Sequence, residues 1–153
     1  MSALKDRLRS DLTTAMKARD QLRSSVIRMA LAAVTNAEVA GKQARELSDD
    51  DVLAVLTSEA KKRKESAQAF DEGNRPELAE KERAEAAILA DYLPEQLSED
   101  EVRALVTAAV EQTGAAAEGM KAMGKVMGVL TPQTRGRADG GFVAAEVKRQ
   151  LGA

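Results

Sequence analysis

The 153-residue sequence contains no cysteine, no histidine and no tryptophan, with one tyrosine and two phenylalanines. Without cysteine, the chain has no disulfide, no thiol nucleophile and no thiolate metal site. Without histidine, it lacks a Ser–His triad, the commonest metal ligand and any side chain whose unperturbed pKa lies near neutrality. Any catalysis would have to depend on carboxylates, lysine, serine or Tyr92. We therefore expect no catalytic residue, no cofactor and no metal.

Long hydrophobic stretches are also missing. The longest apolar run extends from Met29 to Val34, whereas a membrane-spanning helix needs ~20 residues. The N-terminal segment interleaves charges with Leu4, Leu8 and Leu12, and it contains no apolar core typical of a signal peptide. We expect a cytoplasmic protein that does not enter a membrane.

The apolar residues that are present are mainly Ala, Leu, Val and Met, which favour helices over strands. Apolar residues recur every fourth position in the first segment, which predicts a helix with one buried stripe: Leu4, Leu8, Leu12 and Met16. Asp20 is placed to cap a second helix that runs to about Ala40, with Leu22, Val26, Met29, Ala33 and Ala37 facing inward.

Two further helices are predicted before a domain boundary. Ser48 and the acidic residues after it are typical of a helix start, and this helix continues to about Phe70. Pro76 fits the first turn of a fourth helix that reaches Tyr92. Pro94 should end that helix.

A second, smaller domain follows this boundary. Ser98 and Glu101 have the spacing of a capping box, and three helices are predicted over residues 98–112, 119–130 and 140–151. Pro132 and Gly136 should separate the last two. No strand-like alternation occurs. We predict an all-α fold with an N-terminal four-helix domain over residues 1–94 and a three-helix domain over residues 95–153.

The net charge of −2 conceals an uneven distribution. Residues 1–45 carry nine basic and four acidic side chains, residues 46–118 carry eight and nineteen, and residues 119–153 carry six and two. Basic ends of this kind indicate surfaces available to a polyanion.

Residues 119–125 contain two glycines followed by Lys125, in the spacing of a phosphate-binding loop. The Ser or Thr that would bind magnesium is replaced by Val126, and Met120, Met123 and Met127 have helical spacing. We therefore interpret this segment as a packed helix. Its glycines, Gly124 and Gly128, would permit the close approach of another helix.

A second glycine-rich segment, residues 135–141, combines Arg135 and Arg137 with a flexible backbone before a helix, an arrangement that suits an anion. Asp139 could equally cap that helix, and the two interpretations are compatible. The basic run at residues 61–64 would be spread around the whole helix circumference, so we interpret it as solvated surface.

Four segments together resemble one known family. They are residues 120–127 (MKAMGKVM), residues 136–140 (GRADG), residues 92–94 (YLP) and residues 62–67 (KRKESA). Because all four occur together and in the expected order along the chain, they resemble the YqeY-like proteins of the GatB/YqeY family, and the similarity extends over essentially the whole chain.

This resemblance implies a three-helix domain similar to the tail of the B subunit of the glutamine-dependent tRNA amidotransferase, a tail understood to contact tRNA. The amidotransferase chemistry resides in other domains of that enzyme. We therefore expect a tRNA- or RNA-binding accessory protein without its own catalytic centre. The residues expected to contact phosphates are Lys121, Lys125, Arg135, Arg137, Lys148 and Arg149.

Two alternatives remain open at this point. The chain could be a subunit of an amidotransferase-like complex, a carbon–nitrogen ligase with glutamine as amido-nitrogen donor. It could also be a helical protein-interaction module that acts through its acidic middle. The partners expected are tRNA, an amidotransferase or other translation-related proteins.

Overall fold

The computed structural model describes residues 2–152, which form seven α-helices and two short 3-10 segments, with no strand among them. The all-α prediction is confirmed. The chain divides into two compact units, Met1–Leu93 (unit 1) and Pro94–Ala153 (unit 2). None of the helices in the described part of the chain is long and apolar enough to cross a membrane.

Unit 1 contains four helices: α1 (Ala3–Lys17), α2 (Gln21–Val39), α3 (Asp49–Glu72) and α4 (Pro76–Ala90). Their starts follow local sequence signals. The side chain of Asp20 accepts a hydrogen bond from the Arg23 N–H, and Ser48 forms a capping box with Asp51. Pro76 occupies the first turn of α4, where its missing N–H has no intrahelical partner to lose.

The core of unit 1 is built from one face of each helix. Its largest fully buried side chains include Leu8, Ile27, Leu56 and Leu89. Two residues predicted to face inward are exposed instead, Met16 at 51% and Leu22 at 38%. Both lie beside the turn between α1 and α2, where the ends of the two helices are not covered by the core.

Unit 2 contains α5 (Glu99–Thr113), the 3-10 segments Ala115–Ala117 and Gly119–Ala122, α6 (Met123–Thr134) and α7 (Gly140–Gln150). Ser98 and Glu101 form the predicted capping box, and Asp139 caps α7. The core is mainly valine and leucine, with Val106, Val126 and Leu130 fully buried.

The predicted boundaries of the middle helix of unit 2 are wrong by about one turn. Gly119 has φ +64, a left-handed conformation that a continuous α-helix excludes, so the segment begins as a 3-10 turn. Pro132, expected to end the helix, lies inside α6. It is tolerated two residues before the C-terminal end, where only one backbone hydrogen bond is lost.

The expected close approach at Gly124 and Gly128 is also wrong. Both glycines are exposed, and a Cβ added at either would meet nothing within 4 Å. The buried face of α6 is carried by Val126 and Leu130, so the glycines face away from the core.

Candidate nucleic-acid interface

The six cations expected to bind RNA lie at two ends of unit 2. Arg135 and Arg137 are in the turn between α6 and α7. Lys121 precedes α6, and Lys148 and Arg149 lie in the last turn of α7. The 12 residues of α6 separate the two ends by about 18 Å along the helix axis. The structure therefore does not bring all six into one cluster.

Arg137 is largely occupied within unit 2. Its Nε donates to the Glu95 carbonyl at 3.0 Å, and its Nη1 donates to the Gln133 carbonyl at 3.3 Å. Its own carbonyl accepts from the Leu97 N–H at 2.7 Å. These bonds attach the α6–α7 turn to the segment before α5, so Arg137 has a structural role in addition to any phosphate contact.

The surroundings of this turn are acidic. The segment that Arg137 contacts leads into α5, whose first turn carries Glu99, Asp100 and Glu101. Arg135, at the end of α6, is exposed. Arg103 pairs with Glu99 at 3.3 Å and with Asp100 at 2.9 Å, so part of this acidic charge is already compensated.

Arg149 is paired at the opposite end of unit 2. Its guanidinium bonds both carboxylate oxygens of Glu146, a residue whose side chain is only 6% exposed. The Gln150 amide donates to the same carboxylate at 3.0 Å. The hydrogen bonds from Arg149 and then Gln150 lower the pKa of Glu146 to about 2. The charge of Arg149 is thus largely offset by a buried anion.

The three lysines near this end are less constrained. Lys125 lies 3.6 Å from Glu118, an exposed pair of small energetic value. Lys121 and Lys148 are exposed and form no ion pair with residues 2–152. A Cβ on Gly119 would lie 3.9 Å from the Leu151 carbonyl oxygen, so the segments that carry these two lysines meet at one end. This end presents the more accessible positive charge.

A residue outside the predicted site also differs from expectation. Arg63, part of the basic run in α3, is 15% exposed rather than solvated. Its guanidinium lies 3.1 Å from Glu85, 3.5 Å from Glu59 and 3.8 Å from Glu82. Two of these carboxylates come from α4, so the cluster joins α3 to α4. The spacing of Glu59 before Arg63 was a detectable signal, but the two α4 partners were not.

Tyr92 is a packed residue of unit 1. Its hydroxyl donates to Asp11, and the Arg7 guanidinium lies 4.5 Å from its ring centroid. Burial, followed by the hydrogen bond to Asp11, raises the pKa of the phenol. A phenol that keeps its proton so firmly is a poor nucleophile or base near neutral pH, so the geometry assigns Tyr92 to structure.

Comparison with known proteins identifies relatives over most of the chain. The model of the Yqey-like protein family matches residues 5–151. "Altered inheritance of mitochondria protein 41, mitochondrial" from Pyrenophora tritici-repentis is 30% identical over 151 residues, which cover 96% of this chain and 80% of that protein. The protein of the same name from Lachancea thermotolerans is 31% identical over 151 residues, which cover 94% of this chain and 79% of that protein. The protein of the same name from Saccharomyces cerevisiae is 38% identical over 88 residues, which cover 56% of this chain and 46% of that protein.

These names correct one expectation. The cytoplasmic location predicted from the sequence is wrong by this comparison, because the relatives are named as mitochondrial proteins. The prediction had no positive signal behind it, since it depended on missing cysteine and a missing apolar N-terminal run. The resemblance found in the sequence, in contrast, is confirmed: the chain belongs to the Yqey-like protein family.

Proposed function

We propose that the protein is an RNA-binding accessory protein, related to the glutamine-dependent tRNA amidotransferase and without a catalytic centre of its own. Unit 2 contacts the phosphates of tRNA, and the GatB/YqeY relationship supports this choice of RNA. The end that carries Lys121 and Lys148 makes the principal contacts.

The observation that carries this proposal is the accessible charge at that end. Lys121 and Lys148 are exposed and unpaired among residues 2–152. Residues 119–153 contain only two acidic side chains. Of these, Glu146 is buried against Arg149 and Asp139 caps α7. Positive charge from this stretch therefore reaches solvent, and the adjacent carboxylate, Glu118, lies beside Lys125 rather than beside Lys121 or Lys148.

Recognition should depend on backbone and shape rather than on base stacking. The chain has three aromatic residues, and Tyr92 is buried in unit 1. Phe142 is half-buried, with the Arg103 guanidinium 5.6 Å from its ring centroid. Structured RNA is commonly recognised through phosphates and shape, whereas single-stranded RNA is bound on exposed aromatic platforms.

The test measures binding of tRNA and of a random single-stranded RNA at several salt concentrations, with the Lys121→Gln/Lys148→Gln double variant. Each lost phosphate contact should reduce the slope of log affinity against log salt by about 0.7 to 0.9, so the double variant should lose about 1.5. Its affinity for tRNA should also fall at low salt.

The matched control is the Lys42→Gln/Lys81→Gln variant, which removes the same charge from exposed lysines of unit 1 that form no ion pair with residues 2–152. It should leave the slope unchanged. An equal loss in both variants, or equal binding of tRNA and random RNA, would refute a specific site in unit 2. Arg135→Gln tests the other end, where we expect a smaller change.

A further inference from the structure

A groove of about 580 Å³ lies at the turn between α1 and α2 in unit 1. This volume lies in the range of small-molecule sites, roughly 300–1,000 Å³. The groove is lined by Met16, Arg19, Gln21, Ser24, Ser25 and Arg28. None of these residues belongs to the proposed RNA contact in unit 2.

The two arginines of the groove carry available charge. Arg19 and Arg28 are exposed and form no ion pair or side-chain hydrogen bond with residues 2–152. Arg23 lies in the first turn of α2, the helix that also carries Arg28. Unlike Arg28, it is paired with a carboxylate, that of Asp91, at 3.4 Å. Arg19 has φ +57, an uncommon conformation for a residue other than glycine, and it closes the turn at the groove.

Ser24 adds to the lining of the groove a hydroxyl without a partner in the described part of the chain. The residue is only 5% exposed, yet its hydroxyl makes no hydrogen bond with any residue between 2 and 152. The hydroxyl oxygen itself stays in contact with solvent at the groove, so it is available to a bound molecule. Because Ser24 lines the groove, an occupant of the groove could accept the missing hydrogen bond.

The lining favours an anion. Every polar side chain that lines the groove can donate hydrogen bonds, and none of them is acidic. The neighbouring carboxylate, Asp20, is already engaged. It accepts from the Arg23 N–H at 3.0 Å and lies 3.8 Å from the Arg23 guanidinium.

We propose that this groove binds a phosphomonoester. Arg19 and Arg28 hold the dianion, the hydroxyls of Ser24 and Ser25 and the Gln21 amide donate to its oxygens, and Met16 contacts the organic group. A phosphate dianion matches two guanidiniums in charge, and its oxygens match several donors. Its source is either a free phosphorylated small molecule or the terminal phosphate of a nucleic acid. The proposal does not depend on RNA binding by unit 2.

The test follows the ¹³C-methyl resonance of Met16 in the full chain, assigned with Met16→Leu. The probes are inorganic phosphate, adenosine monophosphate and one short RNA with either a 5′-phosphate or a 5′-hydroxyl. Adenosine monophosphate should shift the Met16 methyl and leave that of half-buried Met29 in place. Arg28→Gln should weaken this binding by about tenfold or more.

Arg75→Gln is the matched control, since Arg75 is an exposed arginine of unit 1 outside the groove, and it should bind as tightly as the original chain. Preference for the phosphorylated RNA over both small probes would support the nucleic-acid source, and the reverse order would support the free ligand. An unmoved Met16 with every phosphate probe, or equal weakening by Arg75→Gln, would overturn the proposal. The Lys121→Gln/Lys148→Gln variant should keep the Met16 shift, which separates this site from the RNA contact.

Discussion

The two units bury opposite charges. Unit 1 encloses a cation, because the Arg63 guanidinium lies within 3.8 Å of Glu59, Glu82 and Glu85. Unit 2 encloses an anion, because Glu146 is 6% exposed and is covered by Arg149, which is 67% exposed. In both units an arginine that appears basic in the sequence is neutralised within the fold. The number of basic residues in a segment therefore overstates the charge that a partner meets.

The two clusters also differ in the number of hydrogen-bond donors that each carboxylate receives. Around Glu146, an arginine and an amide satisfy one carboxylate. Around Arg63, three carboxylates share one guanidinium, and Oε2 of Glu82 accepts no hydrogen bond from residues 2–152. Among residues 2–152, the two carboxylates of α4, Glu82 and Glu85, thus depend on Arg63 alone, whereas Glu59 also pairs with Lys62.

Removal of Arg63 should have the largest effect. Arg63→Met keeps much of the aliphatic side chain but leaves Glu85, whose side chain is 9% exposed, without its cation. Loss of one partner from a buried ion pair typically costs about 3 to 5 kcal/mol. We expect a loss near the lower value, because Glu59 and Glu82 are partly solvated. Denaturant unfolding followed by fluorescence of Tyr92 reports on unit 1.

Lys62→Met is the control for this change. It alters the neighbouring residue of α3 in the same way, but Lys62 is 62% exposed and its pair with Glu59 is a surface contact. The expected cost is below about 1 kcal/mol. Similar losses in both variants would show that the enclosed cluster does not stabilise unit 1.

Acid should weaken the charge pair of unit 2 in a defined range. The pKa of Glu146 falls from its ordinary 4.5 to about 2 in the folded chain. Below pH 4.5 the unfolded chain takes up a proton that the folded chain does not, so folding becomes less favourable as the pH decreases. The stabilisation is fully present above this range and is lost by about pH 2.

The measurement compares Glu146→Gln with the original chain by hydrogen exchange of the Val147 amide across this pH range. The variant should be less protected at neutral pH, and the difference should shrink as the pH falls from 4.5 towards 2. Glu111→Gln, at an exposed position of α5, is the control and should show no such convergence. A difference that does not change with pH would contradict a role for ionised Glu146.

The smallest effect concerns helix propensity, which also distinguishes the units. The four helices of unit 1 contain no glycine, whereas α6 contains Gly124, Gly128 and an internal Pro132. Gly128→Ala should stabilise unit 2 by about 0.5 to 1 kcal/mol, because the new methyl meets open space in a helix. Thermal unfolding followed by circular dichroism measures this gain.

Gly119→Ala provides the opposite case. Gly119 has φ +64, so the same substitution there is strained and should cost about 1 kcal/mol or more. If Gly128→Ala destabilises the chain, the exposed position of Gly128 in α6 would be wrong.

Most helix starts could be predicted from the sequence, because the interactions that begin a helix are formed between residues close together in the chain. Asp20, Ser48, Ser98 and Asp139 cap the helices that their sequence positions indicated. Each cap bonds a backbone N–H two or three residues away, so a short window contains the whole cause. The prediction failed at α6, where a left-handed Gly119 and a tolerated Pro132 replaced the ordinary signals.

The groove at the α1–α2 turn was not predictable in the same way. Met16 and Leu22 follow the period of the buried stripe, yet both are exposed where the helices end. Periodicity identifies the face of a helix, but it does not show where along the helix the neighbouring elements stop. Gln21, Ser24, Ser25 and Arg28 have the spacing of one face of α2, but the turn between the helices decides how that face meets Met16 and Arg19.

By itself, the sequence determined the helical class, the starts of α2, α3, α4, α5 and α7, and the family, because capping, periodicity and short motifs operate within a few residues. The tertiary structure decided which cations remain accessible. Arg137 meets a carbonyl 42 residues away, and Arg63 meets carboxylates on another helix. Such partners are set by how helices pack, since side chains distant in sequence become neighbours only when a common core is buried. Lys121 and Lys148 form no ion pair with residues 2–152 because packing places no carboxylate of that part beside them.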